Sequence, residues 1–566
     1  MSLSFSQKIW NIRNPDPQLQ VALSNALGVH PIVAQLCVNR GLGSEAAARD
    51  FLDAGLGKLH DPFLLKDMDK AVERIREARQ NGERVLIFGD YDVDGVTSSA
   101  LLYKTLKKFD VEVMNYIPHR IQEGYGLNES VGELALENSV RLIITVDCGI
   151  TACREVEALN RMGLDVIIID HHEPHPGALP PAKAVIDPKR ADCPYPFKHL
   201  SAVGLAAKFS QALLGVLDQE ALDLVTLGTI ADVVPLVGEN RIFVKAGLPR
   251  LGRTTNKGLA ALIDVAKLKG KEFKPYFVGF ILGPRINATG RMGSARKSLD
   301  LLLTEHAGEA YALAQVLEQH NADRQRLQKD VAQQAVDLVQ RDVNFNEDRV
   351  IVLSQEGWHR GVLGIVASRL TEMYYRPSIV ISVENGIGTA SARSIAGFHL
   401  HDALRHCEGI LENFGGHKLA AGLTIRSENI GEFRRRINDL ARETMSGEAL
   451  VPALQIDSEI ALSNLDLALV ETVNALEPYG EGNPEPVFCS RQLTVKATPT
   501  VMAKDTLKTW LTDGRMTFSA VGFGMGKFRP LLSAGQKVDV AYQLGIDDWN
   551  KSPMVLLRLK DIRQSQ

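Results

Sequence analysis

R-V-L-I-F-G-D-Y-D-V-D-G, residues 84–95, opens as an apolar run and ends with Asp90, Asp92 and Asp94 on alternate positions. Upstream, Met68, Val72, Ile75 and Ala78 recur at helical spacing, and Asn81-Gly82 stops that helix before a strand at Val85–Phe88. Three like charges just beyond a strand repel one another. A cation held among them turns that cost into a purpose, so the stretch poses two questions: which fold places carboxylates there, and what else in the chain surrounds them.

Downstream, the pattern repeats. T-S-S-A-L-L-Y-K-T-L-K-K-F reads as a helix, V-E-V-M-N-Y-I-P as a second strand and E-S-V-G-E-L-A-L-E-N as a second helix. L-I-I-T-V-D and D-V-I-I-I-D are the third and fourth strands, and A-V-I-D begins a fifth. Apolar strands alternating with helices predict a parallel sheet covered on both faces. Ligands of such sheets gather beyond the carboxyl ends of the strands, and Asp92, Asp147 and Asp170 each fall at or just past such an end.

The whole chain is an α/β multidomain protein on this reading. Its 566 residues exceed one core. Residues 1–80 are expected to be helical and packed on a catalytic core at 81–300. A long helix at 301–342 leads to a second α/β unit at 343–450, and short strand-like runs at 451–566 suggest a small β-barrel. The 64 basic and 68 acidic residues give a net charge of -4, so no whole-molecule signal for nucleic acid exists. No run approaches a membrane span of roughly 18 apolar residues. The N-terminus lacks a secretory pattern, and six cysteines form no C-x-x-C pair. A cytoplasmic protein without membrane contact is expected, with Cys148 as a packing residue.

Asp90, Asp92 and Asp94, then Asp147, D-H-H at 170–172 and Asp232 in G-T-I-A-D-V-V-P supply oxygen and imidazole donors. Single aspartates often cap helices. Four such groups at one sheet edge need compensating charge, and two cations sharing a carboxylate could activate water between them. Adjacent His171 and His172 point apart when extended, so one can ligate metal while the other donates to a phosphate. His175 is expected at the surface.

D-x-D-G, the isolated Asp after I-I-T-V, D-H-H and the later Asp resemble the DHH phosphoesterase superfamily. With L-G-P-R-I-N-A-T-G-R (282–291), G-W-H-R-G-V-L-G-I-V-A-S-R (357–369) and F-G-G-H-K-L-A-A-G (414–422), the chain resembles RecJ-type single-stranded-DNA exonucleases from about residue 40 to its end. The resemblance implies a DHH domain, a DHHA1-type substrate-binding domain and a C-terminal OB-fold. It also implies 5′→3′ hydrolysis of single-stranded DNA to nucleoside 5′-monophosphates with up to two Mn²⁺ or Mg²⁺ per site, in DNA repair, recombination and mismatch repair. Single-strand-binding protein and repair helicases are the implied partners. By motif, Asp92 would bind the first metal and Asp94 the second, with Asp147 bridging. His171 and Asp232 would complete the second sphere, His172 would face the scissile phosphate, and Asp90 would be an additional acidic ligand. Phe88 stands where many superfamily members carry a metal-binding histidine, which implies a first site that is either weak or filled chiefly with the substrate present.

Ser391, Arg393, Ser394, Gly415, Gly416 and His417 resemble the family's substrate-contacting group, and glycines there would let backbone approach a phosphate. Arg285, Asn287 and Arg291, in a loop, would contact DNA near its 5′ end. From Val487 onward twelve Lys/Arg face six Asp/Glu. Lys496, Lys504, Lys508, Arg515, Lys527 and Arg529 would line a groove, with Trp510 and Phe518 or Phe523 as stacking surfaces. His359 and Arg360 would structure the cleft and Trp358 would pack. The alternative is a phosphoesterase of short oligonucleotides or dinucleotides, for which a remote basic barrel has no use. A monomer is expected.

Overall fold

The structure is a computed structural model that describes residues 4–119, 126–128, 130–547 and 552–565. The chain begins not with a helix but with a short strand, β1 (Ile9–Ile12), followed by helices Pro17–Leu27, Pro31–Asn39 and Glu45–Asp53. Of the helical region expected over 1–80 on the catalytic core, Met68–Gln80 packs there through Met68, Val72 and Ile75, and Leu56, Leu59 and Leu65 in the short turns before it join the same core. Val33, Leu36, Cys37, Ala48 and Phe51 instead join the core of the C-terminal unit. Their apolar stripes show that they must be buried, not on what.

The catalytic sheet runs β2 (Arg84–Gly89), β3 (Glu112–Tyr116), β4 (Val140–Val146), β5 (Asp165–Ile169) and β6 (Ala184–Ile186). All neighbours are parallel in the order β3-β2-β4-β5-β6. Leu142, Ile144, Ile167 and Ile169 face one core and Leu86, Ile143, Val166 and Ile168 the other. Two-sided burial is what continuous Val/Ile/Leu runs require. The strand order reverses between β2 and β4, which opens a crevice at their carboxyl ends.

The stretch 283–292, expected as a loop, is a helix, Gly283–Met292. Pro284 stands in its first turn, where a missing N–H costs nothing. The long helix begins at Ala307 and runs 36 residues to Asp342, about 54 Å at 1.5 Å per residue. Its first half buries Ala314 and Leu317 against the catalytic core. Its second half buries Val331, Ala332, Ala335 and Val339 against the next unit, so one rigid element fixes both.

That unit contains β7 (Ile351–Glu356), β8 (Ser378–Glu384), β9 (Ile387–Arg393), β10 (Asn413–Gly416) and β11 (Ala420–Arg426), ordered β10-β11-β9-β8-β7. A further strand, β12 (Ala453–Ile456), pairs in parallel with β1. The C-terminal barrel comprises β13 (Ser458–Glu459), β14 (Phe488–Val495), β15 (Thr500–Met502), β16 (Thr506–Thr512), β17 (Thr517–Gly522), β18 (Lys537–Asp547) and β19 (Met554–Gln564). Its order is β13-β14-β18-β19-β17-β16-β15, and a β14–β16 pairing closes it. Among the described residues no single helix is long and apolar enough to cross a membrane.

Candidate active site

Register builds the acidic rim. Gly89 pairs with Val146, Val146 with Ile169 and Ile169 with Ile186. The next residue of each strand is an aspartate, so Asp90, Asp147, Asp170 and Asp187 stand in a row along the carboxyl edge. The amides of Asp90, Asp147 and Asp170 donate to Val146, Ile169 and Ile186, which carries the ladder one residue past the strands. Asp147 turns there with φ of 64°, a left-handed conformation that Asp and Asn tolerate better than most residues.

Helix ends supply the rest. Asp92 caps the helix Val93–Lys108, its Oδ1 accepting from the amides of Asp94 (2.9 Å) and Gly95 (3.1 Å). Capping and metal binding are compatible, because Oδ2 is not used in the cap. A side chain at Gly95 would collide with the Asp90 carbonyl, so glycine lets the D-x-D-G turn close. Asp94 accepts from the amides of Ala202 (2.7 Å) and Val203 (2.9 Å), at the start of the helix Ala202–Leu214. Asp232 follows the helix Leu222–Ala231.

Donor atoms of Asp90, Asp92 and Asp147 lie within 4.8 Å of one another, as do those of Asp94, His171 and Asp232. His171 Nε2 is 3.2 Å from Asp147 Oδ1, 3.7 Å from Asp232 Oδ2 and 4.0 Å from Asp94 Oδ2. It is buried and makes no hydrogen bond to any of them, while a backbone hydrogen bond to Leu200 holds the ring. A nitrogen lone pair facing three carboxylates is what a ligand imidazole oriented by its opposite side looks like. Oxygen donors with one imidazole suit Mn²⁺ or Mg²⁺. The donor set fits two cations sharing Asp147.

Electrostatics agree. Burial, then the charge on Asp92, pushes Asp94 up to about 7. Burial and the neighbouring carboxylates raise Asp147 and Asp232 well above the usual range. Burial and the charge of His172 lower His171 to about 3, so it is neutral at physiological pH. His172 has the opposite character. Burial opposes its charge, but the Asp170 carboxylate 2.7 Å from Nδ1 wins and raises it to about 9. The two rings differ in job although their centroids are 4.6 Å apart.

A pH dependence follows. Asp94, Asp147 and Asp232 are raised, so the folded state holds protons that the unfolded chain has released, and their contribution is lost as pH rises through the folded values. His172, also raised, adds the same loss from 6.5 through about 9. His171, lowered, acts in the opposite sense only below 6.5. The metal-free protein is therefore expected to melt at lower temperature at pH 8.5 than at pH 6.5. Saturating Mn²⁺ should raise the melting temperature more at pH 8.5, since cation and protons compete for the same oxygens. Thermal denaturation with and without Mn²⁺ at the two pH values checks both.

Asp170 opens D-H-H, and the motif reading gives it no catalytic role of its own. It is fully buried and accepts from the amides of Ile150, His171 and His172 as well as from the His172 ring. Asp187, at the end of β6, is likewise buried, and burial pushes it up to about 7. The A-V-I-D run is its only signal in the sequence. Phe88 is core, stacked on Tyr116 at 5.9 Å, so the Asp90–Asp92–Asp147 group has no imidazole from that position.

In the second unit β11 joins the substrate motifs. Gly422 pairs with Ser391 and Gly415, and Ala420 with Arg393. Ser391, Arg393, Gly415 and Gly416 thus share one sheet end, and the amide of His417 donates to Ala420. The Arg393 guanidinium lies 3.5 Å from Ser391 Oγ, and Ser394 Oγ donates to the Phe398 carbonyl. Arg291 Nη1 donates to the Gly361 carbonyl and links the two α/β units. Asn287 is half-buried on the same helix. Arg285 is tied to Glu318 of the long helix at 2.5 Å. Trp358 packs as expected, its Nε1 donating to Gln334, and His359 accepts from the Gly361 amide.

On the barrel, Lys508 and Trp510 share one face of β16, opposite Val521 and Ser519. Lys496, Lys504, Arg515, Lys527 and Arg529 are exposed. Phe518 is in the barrel core and is no stacking surface, because its face of β17 points inward, whereas Phe523 is 71% exposed.

A parallel sheet with this rim of carboxylates and imidazoles, tied by one helix to a second sheet, defines a metal-dependent phosphoesterase of the DHH type. Family models agree: the DHH family N-terminal domain matches residues 84–229, the DHHA1 domain 347–443 and the RecJ OB domain 456–561. The chain is 38% identical to the single-stranded-DNA-specific exonuclease RecJ of Bacillus subtilis, over 99% of this chain and 71% of that one. It is 34% identical to that of Haemophilus influenzae, over 95% and 97%. The crystal structure of RecJ from Thermus thermophilus in complex with Mn²⁺ superposes with a TM-score of 0.85 at 31% identity, over 99% of this chain and 80% of that one. The chain belongs to the RecJ family.

Proposed function

We propose that this protein is a metal-dependent exonuclease that hydrolyses single-stranded DNA from its 5′ end and releases nucleoside 5′-monophosphates. The observation that carries the reading is the pair of donor clusters meeting at Asp147 and His171 beside a cationic His172. Asp90, Asp92 and Asp147 would hold one cation, and Asp94, His171, Asp232 and Asp147 the other. Bound there, divalent cations supply Lewis acidity, which makes water more acidic and offsets charge developing on the phosphoryl oxygens.

The chain's own groups do the rest. Asp170 keeps His172 protonated and aimed, so its imidazolium can donate to a non-bridging phosphate oxygen. Ala202 and Val203 hold Asp94 still through the helix N-terminus. Ser391, Arg393 and His417 provide donors for a terminal 5′-phosphate, which gives a physical reason for polarity. Arg291 and Asn287 would touch the strand near that end. Arg285 acts by anchoring the long helix. The basic barrel, with Lys508 and Trp510 on its face, would hold the trailing strand. Single-strand-binding protein and repair helicases are partners on this reading, and the working form is a cytoplasmic monomer.

Degradation of a 5′-phosphorylated single-stranded oligonucleotide with Mn²⁺ is the test. A 5′ label is expected to appear at once as mononucleotide while duplex stays intact. Release of a 3′ label first would overturn the polarity. Cleavage confined to dinucleotides would favour the short-oligonucleotide alternative.

A further inference from the structure

Beside the metal rim lies an aromatic surface that the site does not use. Tyr276 and Phe280 are 60% and 72% exposed, yet their rings stack on each other with centroids 5.2 Å apart and planes at 23°. Tyr276 precedes, and Phe280 lies within, a single π-helical turn, Val278–Leu282, a form of helix frequent at functional sites. Phe273 and Phe277, their neighbours in sequence, turn inward and meet edge to face at 6.1 Å. The inward pair accounts for the fold of the segment. The outward pair is left to water at an unfavourable exposure.

Its place is fixed by close packing. Gly279 abuts Ile230, and Gly283 abuts Ala231 and Val93, the residues that immediately precede Asp232 and Asp94. Val233, next after Asp232, is 64% exposed with φ of 63°, a costly conformation for a β-branched side chain. At its other end the segment meets the C-terminal unit, where Lys274 pairs with Glu477 at 3.2 Å. Exposed Lys267, Lys269, Lys271 and Lys274 lead into the aromatics. Exposed lysines followed by exposed rings, on a stretch that touches both the metal-rim helix and the C-terminal unit, match a polyanion that also carries π-faces.

We infer that Tyr276 and Phe280 form a base-stacking ledge for the single strand on its way from the barrel to the metals, with Lys271 and Lys274 beside its phosphates. The inference rests on the proposed function and adds a binding site to it. Stacking on a ring does not distinguish bases, which suits an enzyme that must pass every sequence. The ledge also favours one strand over two, because bases already paired and stacked offer no free face.

The test uses the full-length protein and Mn²⁺, with the double variant Tyr276→Ala/Phe280→Ala and, as rescue, Phe280→Trp. Substrates are a 5′-phosphorylated oligonucleotide and the same length with abasic sites replacing its interior bases. For the ordinary strand the double variant should show a KM higher by about tenfold or more, an unchanged kcat and an unchanged melting temperature, since both rings are exposed. Phe280→Trp should keep the wild-type KM. On the abasic strand the difference between variant and wild type should vanish. An equal KM for wild type and variant on the ordinary strand, or a difference that persists on the abasic strand, overturns the ledge, including in favour of a protein docking there. If wild type itself leaves single strands uncut, the function reading has failed and not the ledge alone.

Discussion

Asp147→Asn is expected to lower turnover by about 10³-fold or more, equivalent to about 4 kcal/mol of transition-state stabilisation, and to raise the melting temperature of the metal-free protein. Both effects come from the same placement. Asp147 is 2% exposed and belongs to the donor cluster of Asp90 and Asp92 while facing His171. On the proposed function, losing its charge would remove the ligand shared by the two cation sites. Without cations that charge is a liability, since it is buried against Asp92, Asp94, Asp90 and Asp232. Asn is the right replacement because it keeps the shape and tolerates the left-handed backbone at φ of 64°. Alanine would confound lost chemistry with new strain. Single-turnover kinetics and thermal melts, each with and without Mn²⁺, separate the alternatives. A structural carboxylate would lose stability on substitution, and Mn²⁺ would still stabilise the variant. Unchanged turnover, or a lower metal-free melting temperature, would exclude the bridging role.

The acidic rim was legible because two local signals coincide there. Strands buried on both faces read as unbroken apolar runs, and each run ends on an aspartate. Their convergence needed only the parallel arrangement, since equal register puts the residues after each strand side by side. Where partners lie far apart in sequence, the reading failed. Ile9–Ile12 pairs with Ala453–Ile456, and nothing local in I-W-N-I announces that. β9 and β10 consist largely of Gly, Ala and Ser, poor strand formers, and are strands because β8 and β11 offer them hydrogen bonds. G-P-R-I-N-A-T-G-R has the residues of a loop, but its proline falls in a first turn and its glycines meet neighbouring backbone, as at Gly290 against Tyr91. Arg285 illustrates the same limit for function. Its type suits DNA, and only the fold brings Glu318 within 2.5 Å.

Arg241→Met is expected to destabilise the junction of the catalytic and C-terminal units by about 3–5 kcal/mol, and to raise KM for long single strands. Arg241 is 1% exposed, and its hydrogen bonds run to backbone carbonyls. Its guanidinium donates to the carbonyls of Phe51 (2.8 Å), Leu476 (2.9 Å) and Glu477 (2.9 Å), with longer bonds to Ala475 and Pro478 (both 3.4 Å). It also lies over the Phe51 ring at 3.9 Å. Burial lowers its pKa to about 10, so it is charged at neutral pH. One planar fork thus joins the N-terminal helices, the catalytic domain and the segment that leads into the barrel. Removing it strands several buried carbonyls, each costing about 1–3 kcal/mol when unsatisfied, although partial relaxation limits the sum. Arg241→Lys should not rescue, because an ammonium offers three donors from one point where five carbonyls wait around a plane. Urea unfolding of a chain with several cores is not two-state, and the expected signature is an early transition of the C-terminal unit while the catalytic core melts as before. Cleavage of short oligonucleotides, which need no barrel, should then be nearly unchanged while long strands lose their advantage. Equal loss on short and long substrates would place the effect of Arg241 in the catalytic domain itself.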